Sequence, residues 1–209
     1  MVIFAFVYIL ILAFIRGLGS SNKNDERYQV RRCSKQDMEA FYEDQAKAVD
    51  FSLENIDAYD LKNAIYYGLF ENDTIVACGY VLNQQSYKQY VVKNYSGIYK
   101  ILSKLPTRLL GYPSFPGISE TANCACAGIW ARKHDEALIH RLWQFIREDA
   151  KEFDFIMIGL YEKHPLRDYF EKTKHINYDS RCYIVDWEHS KGIYDDLQKR
   201  NLYIDVAFL

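Results

Sequence analysis

Polar side chains that could bind a ligand follow two apolar runs of the chain. Arg132 and Asp135 come directly after the small-residue run 122–131, and Tyr161 ends the apolar run 155–160. Asp135 can cap a following helix, and a helix N-terminus attracts anions through its free N–H groups and its dipole. Ligands of open sheets lie beyond the carboxyl ends of parallel strands. The sequence therefore predicts an anion-accepting ligand site at these two strand ends.

A crossover unit must position this site. Apolar residues recur at helical spacing after Asp135, at Leu138, Leu142, Phe145, Ile146 and Ala150. A strand, a capped helix and a second buried strand predict a parallel strand-helix-strand unit at residues 122–161. The expected fold class is α/β (α+β), a mixed central sheet flanked by helices.

Local signals predict the remaining elements. Ser34 and Asp37 resemble a capping box that starts a helix after a first strand at 28–32. Glu71-Asn-Asp73 is typical of a hairpin turn, and Gly79 suggests a bulge or a close backbone approach. The other expected elements are strands at 64–70, 74–82, 182–187 and 202–208, a second short helix within 50–60, and a short helix at 166–172.

Composition excludes several classes of function. The 209 residues are 49% hydrophobic, enough for a full core, and the net charge of -2 provides no global field for nucleic acid. The five cysteines lack a regular spacing, and Cys124 and Cys126 face the same way on a strand. We expect reduced thiols in a cytoplasmic protein and no metal site, with no metal role for His134 or His140.

The segment 86–117 mixes tyrosines with basic residues, which invites a nucleic-acid interpretation. The favoured alternative is an amphipathic helix in which lysines face solvent and the apolar side is formed by Ile98, Ile101, Leu102, Leu105 and Leu109. Pro106 bends this helix or ends it early. His164 precedes a proline, and we expect it to be a surface histidine.

The apolar run 2–15 leaves three structures open. It could be a short membrane anchor that holds the rest of the chain in the cytoplasm, one or two buried strands, or the end of a preceding domain. The expected organisation is an apolar segment at 1–19, a linker at 20–27 and one domain at 28–209.

From residue 28 onward the element order resembles the GNAT acetyltransferase superfamily. The hairpin running into Ile75-Val-Ala-Cys-Gly-Tyr80 is similar to a family hairpin with a glycine near its end. Further motifs resemble the C-terminal half of bacterial tandem GNAT-like proteins: 86–95, Leu109-Leu-Gly-Tyr-Pro113, Ile158-Gly-Leu160 with His164-Pro-Leu166, Tyr178-Asp-Ser-Arg-Cys-Tyr183 with Trp187, and Tyr203-Ile-Asp-Val-Ala207. The resemblance implies a GNAT-like (acyl-CoA N-acyltransferase) fold.

The activity implied by this resemblance is transfer of an acetyl group from acetyl-CoA to an amine of a small molecule or a protein. The backbone of Ile129, Trp130 and Ala131 would pair with the pantetheine arm. The pyrophosphate would bind at the next helix start, near Arg132, Lys133 and Ala137. Asp135 stands where the family loop has glycine, which brings negative charge to the phosphate position.

The resemblance also implies catalytic residues. Tyr169 would return a proton to the leaving thiolate as general acid, with Tyr161 as the second candidate. Glu120, just before the strand, is the nearest carboxylate for the amine proton, because 122–131 contains no Asp or Glu.

The alternative is a catalytically degenerate GNAT-like module with a binding, regulatory or structural role. Such a module could be tethered to a membrane through 2–15. A homodimer or a partner GNAT domain fits either alternative.

Overall fold

The computed structural model describes residues 2–15, 26–46, 63–110, 113–161, 164–173 and 175–186. Seven strands and four helices lie within these ranges. The strands are β1 Val2–Ile15, β2 Tyr28–Cys33, β3 Ala64–Glu71, β4 Thr74–Leu82, β5 Cys124–Ala131, β6 Phe155–Tyr161 and β7 His175–Asp186. The helices are α1 Lys35–Ala46, α2 Tyr99–Leu102, α3 Glu136–Asp149 and α4 Arg167–Glu171, with 3-10 turns at Thr107–Leu110 and Arg132–His134.

The strands form one mixed sheet in the order β2-β3-β4-β5-β6-β1-β7. Strands β5 and β6 are parallel, as the crossover pattern predicts, and the other neighbouring strands are antiparallel. The fold is therefore α+β, a mixed sheet flanked by helices. The run 2–15 is strand β1, which lies between β6 and β7. No helix among the described residues is long and apolar enough to cross a membrane.

The two faces of the sheet bury different helices. Helix α3 buries Leu138, Ile139, Leu142 and Ile146 in a cluster that includes Ala125, Ala127, Ile129 and Ala131 of β5. Helix α1 contributes Met38 and Phe41 to a second cluster with Cys78, Tyr80, Leu82 and Trp130. Because side chains alternate along a strand, β5 presents Ala125, Ala127, Ile129 and Ala131 to α3 and Trp130 to α1.

Three local signals are confirmed by the structure. Ser34 and Asp37 form a reciprocal capping box, in which each side chain accepts from the backbone N–H of the other. Asn72 and Asp73 connect β3 to β4 with positive φ angles of 50° and 61°, the backbone of a tight hairpin. A Cβ at Gly79 would lie 2.7 Å from the carbonyl oxygen of Gly128, so the backbones approach closely there.

One expectation is confirmed in part and another is wrong. The apolar side of residues 98–109 does not pack inward, because Ile98, Ile101 and Leu109 are exposed. The helical stretch does end before Pro106, as expected. His164 is buried rather than on the surface, with 8% exposure. The helix expected within 50–60, residue 187 and the strand expected at 202–208 lie outside the described residues.

Candidate functional site

The parallel ladder between β5 and β6 ends before either strand does. It joins Cys124 to Phe155 and continues as far as Ala127 and Ile158. Strand β5 runs on to Ala131 along β4, and β6 runs on to Tyr161 along β1. The last residues of β5 and β6 are therefore paired on their outer sides but are not paired with each other. The two strands diverge at their carboxyl ends.

The loop that leaves β5 has an uncommon backbone. Lys133 and His134 have φ angles of 54° and 53°, in the left-handed region that side chains with a Cβ rarely adopt. Asp135 then returns to an extended conformation and caps α3, with its side chain accepting from the N–H groups of Ala137 and Leu138. The Asp135 Oδ1 to Ala137 N distance is 2.8 Å. The cap that the sequence predicts is confirmed, and it occupies two of the free amides of the helix start.

Arg132 is held by a carboxylate of the protein. Its Nη2 lies 3.2 Å from Oε2 of Glu71, at the end of β3. Glu71 also forms an ion pair with Arg27, which precedes β2. The Arg132 side chain is still 45% exposed, so a ligand can reach it, but an anion would have to compete with Glu71.

Tyr169 is hydrogen-bonded to helix α3. Its Oη lies 2.9 Å from Nδ1 of His140, and the Nε2 atom of His140 lies 2.9 Å from the amide nitrogen of Gln144. An amide nitrogen only donates, so Nε2 of His140 accepts and the ring proton is on Nδ1. His140 therefore donates to the phenol oxygen of Tyr169. The phenol keeps its own proton for another acceptor.

The surroundings of Tyr169 keep its hydroxyl group protonated. Burial raises the pKa of Tyr169 to about 12, with Glu136 acting in the same direction and the nearby Arg147 opposing it. The ring packs edge-on against Phe170, with centroids 5.0 Å apart. At neutral pH Tyr169 is a protonated, half-buried phenol between α3 and α4. Such a group can donate a hydrogen bond or a proton.

His164 is a structural residue of this region. Its Nδ1 accepts from the N–H of Leu166 at 3.1 Å, and its carbonyl oxygen accepts from the N–H of Arg167 at 3.0 Å, so it organises the start of α4. Burial, together with a smaller effect of the charge of His134, lowers the pKa of His164 to about 4. Burial also lowers the pKa of His134. Both effects favour neutral imidazoles in the turns after β5 and β6.

The candidate residues fall into two groups. Arg132, Lys133, Ala137 and Tyr169 belong to the end of the molecule where β5 and β6 stop. Glu120 precedes the amino end of β5 and accepts from the N–H of Gly117 at 2.6 Å. Strand β5 spans roughly 23 Å from Cys124 to Ala131 at about 3.3 Å per residue, and Glu120 precedes its amino end. The structure does not bring Glu120 to the other candidates.

The remaining candidates are part of the sheet. Ile129, Trp130 and Ala131 are at most 5% exposed, and their register partners are Gly79, Cys78 and Ala77 of β4. Tyr161 pairs with Ile9 at the end of β6, and its side chain lies outside the described residues.

The described cysteines and acidic or histidine side chains do not build a metal site. Cys33, Cys78, Cys124 and Cys126 form no disulfide, and the Cys126 thiol donates to Oε1 of Gln84 at 2.9 Å. No group of three potential metal ligands occurs in the part of the chain that the structure describes.

Sequence reasoning missed three partners at this site. His140 and Gln144 are an i, i+4 pair on α3, a spacing that could have indicated contact between them. The contact of His140 with Tyr169 joins residues 29 positions apart and has no local signal. The Glu71 carboxylate is likewise brought to Arg132 only by the pairing of β3, β4 and β5.

No family model and no curated protein matches the chain. Among solved structures, the chain is similar to a functionally unknown conserved protein from Staphylococcus epidermidis, with 9% identity and a TM-score of 0.52. The match covers 85% of this chain and 60% of that protein, so the chain spans less than two thirds of its length. At this identity the likeness establishes the α+β architecture alone.

Proposed function

We propose that this chain is a GNAT-type acyltransferase that transfers an acetyl group from acetyl-CoA to an amine. The observation that carries the proposal is the divergence of β5 and β6 beyond Ala127 and Ile158. A gap between parallel strands presents backbone hydrogen-bonding groups along an edge, and a pantetheine arm with two amides can extend such an edge. The proposed arm contacts are the backbones of Ile129, Trp130 and Ala131.

Tyr169 is the proposed general acid. In the reaction the amine nitrogen attacks the acetyl carbonyl carbon, the carbon–sulfur bond breaks, and the thiolate takes a proton from the phenol. A phenol with a pKa of about 12 stays protonated at neutral pH, but this high pKa opposes proton transfer to a thiolate. The Nδ1–H group of His140 then stabilises the phenolate that forms. Glu120 is remote from Tyr169 along β5, so we propose that solvent takes the amine proton.

The experiment that tests this proposal is calorimetry of the full chain with acetyl-CoA and with S-acetylpantetheine, which lacks the nucleotide and its phosphates. The proposal expects one saturable site for both ligands. Since Asp135 already occupies amides of the α3 start, the two ligands should bind with similar affinity. Failure of both ligands to bind at millimolar concentration would remove the acyltransferase proposal.

A second candidate function is favoured by the contacts of Asp135 and Arg132. The Asp135 carboxylate takes the position of a bound anion at the helix start, and Arg132 is paired with Glu71, which also pairs with Arg27. A domain with these contacts could keep the GNAT-like fold and serve as a binding or regulatory module without acetyl-CoA. Substitution of Asp135 distinguishes an acyltransferase from a binding or regulatory module. An Asp135→Asn variant that gains acetyl-CoA binding supports a weakened enzyme site, whereas one that remains inert supports the module.

A further inference from the structure

The segment between β4 and β5 carries an exposed apolar surface. Every large apolar side chain that is exposed in the described part of the chain lies between residues 87 and 118. These side chains are Tyr87, Val91, Ile98, Ile101, Leu105, Leu109 and Ile118. Single exposed apolar residues are common on proteins, but a cluster confined to one segment marks an interaction surface.

Backbone geometry places three of them on one side of the segment. Hydrogen bonds from Ile101 N and Leu102 N to Ile98 O, and from Leu105 N to Leu102 O, continue helical turns through this stretch. Ile98, Ile101 and Leu105 are spaced i, i+3 and i+7, so they share a face. They are 63%, 64% and 47% exposed. The amphipathic pattern is real, but its apolar side faces solvent.

Three aromatic rings of the segment pack against each other or against the sheet, whereas Tyr87 is 65% exposed. Tyr95 and Tyr99 contact the Phe115 ring at 5.7 Å and 6.3 Å, and the Tyr95 hydroxyl donates to the Pro116 carbonyl oxygen at 2.9 Å. Phe115 in turn contacts Phe155, the first residue of β6, at 6.2 Å. The segment is therefore attached at the amino ends of β5 and β6. This is the opposite end of these strands from the candidate acetyl-CoA site.

The charge of the segment has one sign. Residues 87–118 contain five basic side chains and no Asp or Glu, in a chain whose net charge is -2. Four of the five are exposed and the fifth, Lys88, is half-buried; the exposed ones are Lys93, Lys100, Lys104 and Arg108. A local charge of +5 around exposed isoleucines and leucines is complementary to a surface that is both anionic and apolar.

We propose that the surface carried by residues 87–109 and 113–118 docks onto an anionic lipid bilayer. Ile98, Ile101 and Leu105 enter the boundary between headgroups and acyl chains, while the flanking lysines contact anionic headgroups. A lipid surface fits better than single-stranded nucleic acid, because base stacking needs exposed aromatic rings. Here Tyr95 and Tyr99 contact Phe115, and six of the seven exposed apolar side chains are aliphatic, with Tyr87 as the exception.

The test is co-sedimentation of the full chain with vesicles of phosphatidylcholine mixed with phosphatidylserine, and with vesicles of phosphatidylcholine alone. We expect binding to the mixed vesicles that weakens with added salt. Lys100→Gln with Lys104→Gln should weaken binding about fivefold per lysine removed. Ile98→Ser with Ile101→Ser should weaken it by about tenfold or more. The matched control is Lys151→Gln with Lys172→Gln, two exposed lysines outside the segment, which should bind as the unchanged chain does.

Several results would overturn the proposal. One is equal binding of the Ile98→Ser/Ile101→Ser variant and the unchanged chain, since the apolar side would then have no role. Another is binding of oligouridylate but not of vesicles, which would assign the surface to nucleic acid. A third is a dimer in solution that dissociates on the same isoleucine substitutions without any vesicle binding, which would assign it to self-association. All substituted side chains are exposed, so we expect every variant to fold.

Discussion

The Nδ1 atom of His140 lies 2.9 Å from the hydroxyl oxygen of Tyr169 and donates to it. The direction follows from Gln144, whose amide nitrogen occupies the acceptor position at the other ring nitrogen. We expect nitrogen-15 NMR of the histidine ring to find His140 as the Nδ1–H tautomer. The Gln144→Leu variant should lose that preference. Observation of the Nε2–H tautomer in the unchanged chain would mean that Tyr169 donates to His140 and has no proton left for a ligand.

Substituting Tyr169 tests its proposed role in transfer. Tyr169→Phe should lower the rate of acetyl-CoA consumption with a panel of primary amines by about a hundredfold or more, the usual contribution of a general acid. Acetyl-CoA affinity should change little, because the ring and its contact with Phe170 remain. Tyr99→Phe, in the segment at the other end of β5, is the control. Equal rates for Tyr169→Phe and Tyr99→Phe would remove Tyr169 from the mechanism.

Asp135 has two separable effects, one on helix stability and one on anion binding. Asp135→Asn keeps an oxygen to cap Ala137 and Leu138 but removes the charge, so acetyl-CoA should bind more tightly while S-acetylpantetheine is unaffected. Asp135→Ala removes the cap as well and should lower the free energy of unfolding by about 1 kcal/mol. Denaturant titration and calorimetry measure the two effects. A gain of equal size for both ligands would show that Asp135 does not face the phosphates.

His164 should make stability depend on pH. Its pKa is about 6.5 in an unfolded chain and about 4 in the folded protein, because burial disfavours the charged ring. Between pH 6.5 and pH 4 the unfolded chain binds one proton more than the folded protein. The free energy of unfolding is therefore highest above pH 6.5 and decreases as the pH falls to 4, by roughly 3 kcal/mol in total. His164→Asn keeps an acceptor for Leu166 N but cannot titrate, so its unfolding free energy should lack this decline. A decline of the same size in both proteins would assign the effect to other groups.

The Asp149 carboxylate joins three elements of the fold. It ends α3 and accepts from Arg32 of β2 at 2.8 Å and from the Tyr67 hydroxyl of β3 at 2.9 Å. Tyr67 is fully buried, so Tyr67→Phe should lower the unfolding free energy by about 2 kcal/mol. The Arg32 side chain is 59% exposed, so Arg32→Ala should cost less than about 1 kcal/mol. Chemical denaturation would contradict this ranking if the arginine substitution were the more harmful.

The parts of the fold that follow from the sequence depend on neighbouring residues. The capping box of Ser34 and Asp37, the cap at Asp135 and the turn at Asn72 each involve groups only a few positions apart. The parallel unit also follows, because a helix between two buried strands has few other ways to cover a sheet.

Other parts depend on what lies far away in the chain. The place of β1 between β6 and β7 brings the first residues against ones more than 140 positions later, and no local pattern encodes that pairing. The helical spacing of the apolar residues places Ile98, Ile101 and Leu105 on one face. This spacing does not determine whether the face is buried or exposed. The burial of His164 similarly depends on the packing of two turns and not on the proline that follows it.

The central claim is that the divergent ends of β5 and β6 bind the acyl-pantetheine arm. Its most direct test is an isotope-edited NMR titration of the full chain with S-acetylpantetheine, followed at the backbone amides of β5. We predict saturable shifts at Ile129, Trp130 and Ala131, beyond the end of the ladder at Ala127, with little change at Cys124 and Ala125. Shifts confined to other parts of the sheet, or no shifts at millimolar ligand, would contradict the claim.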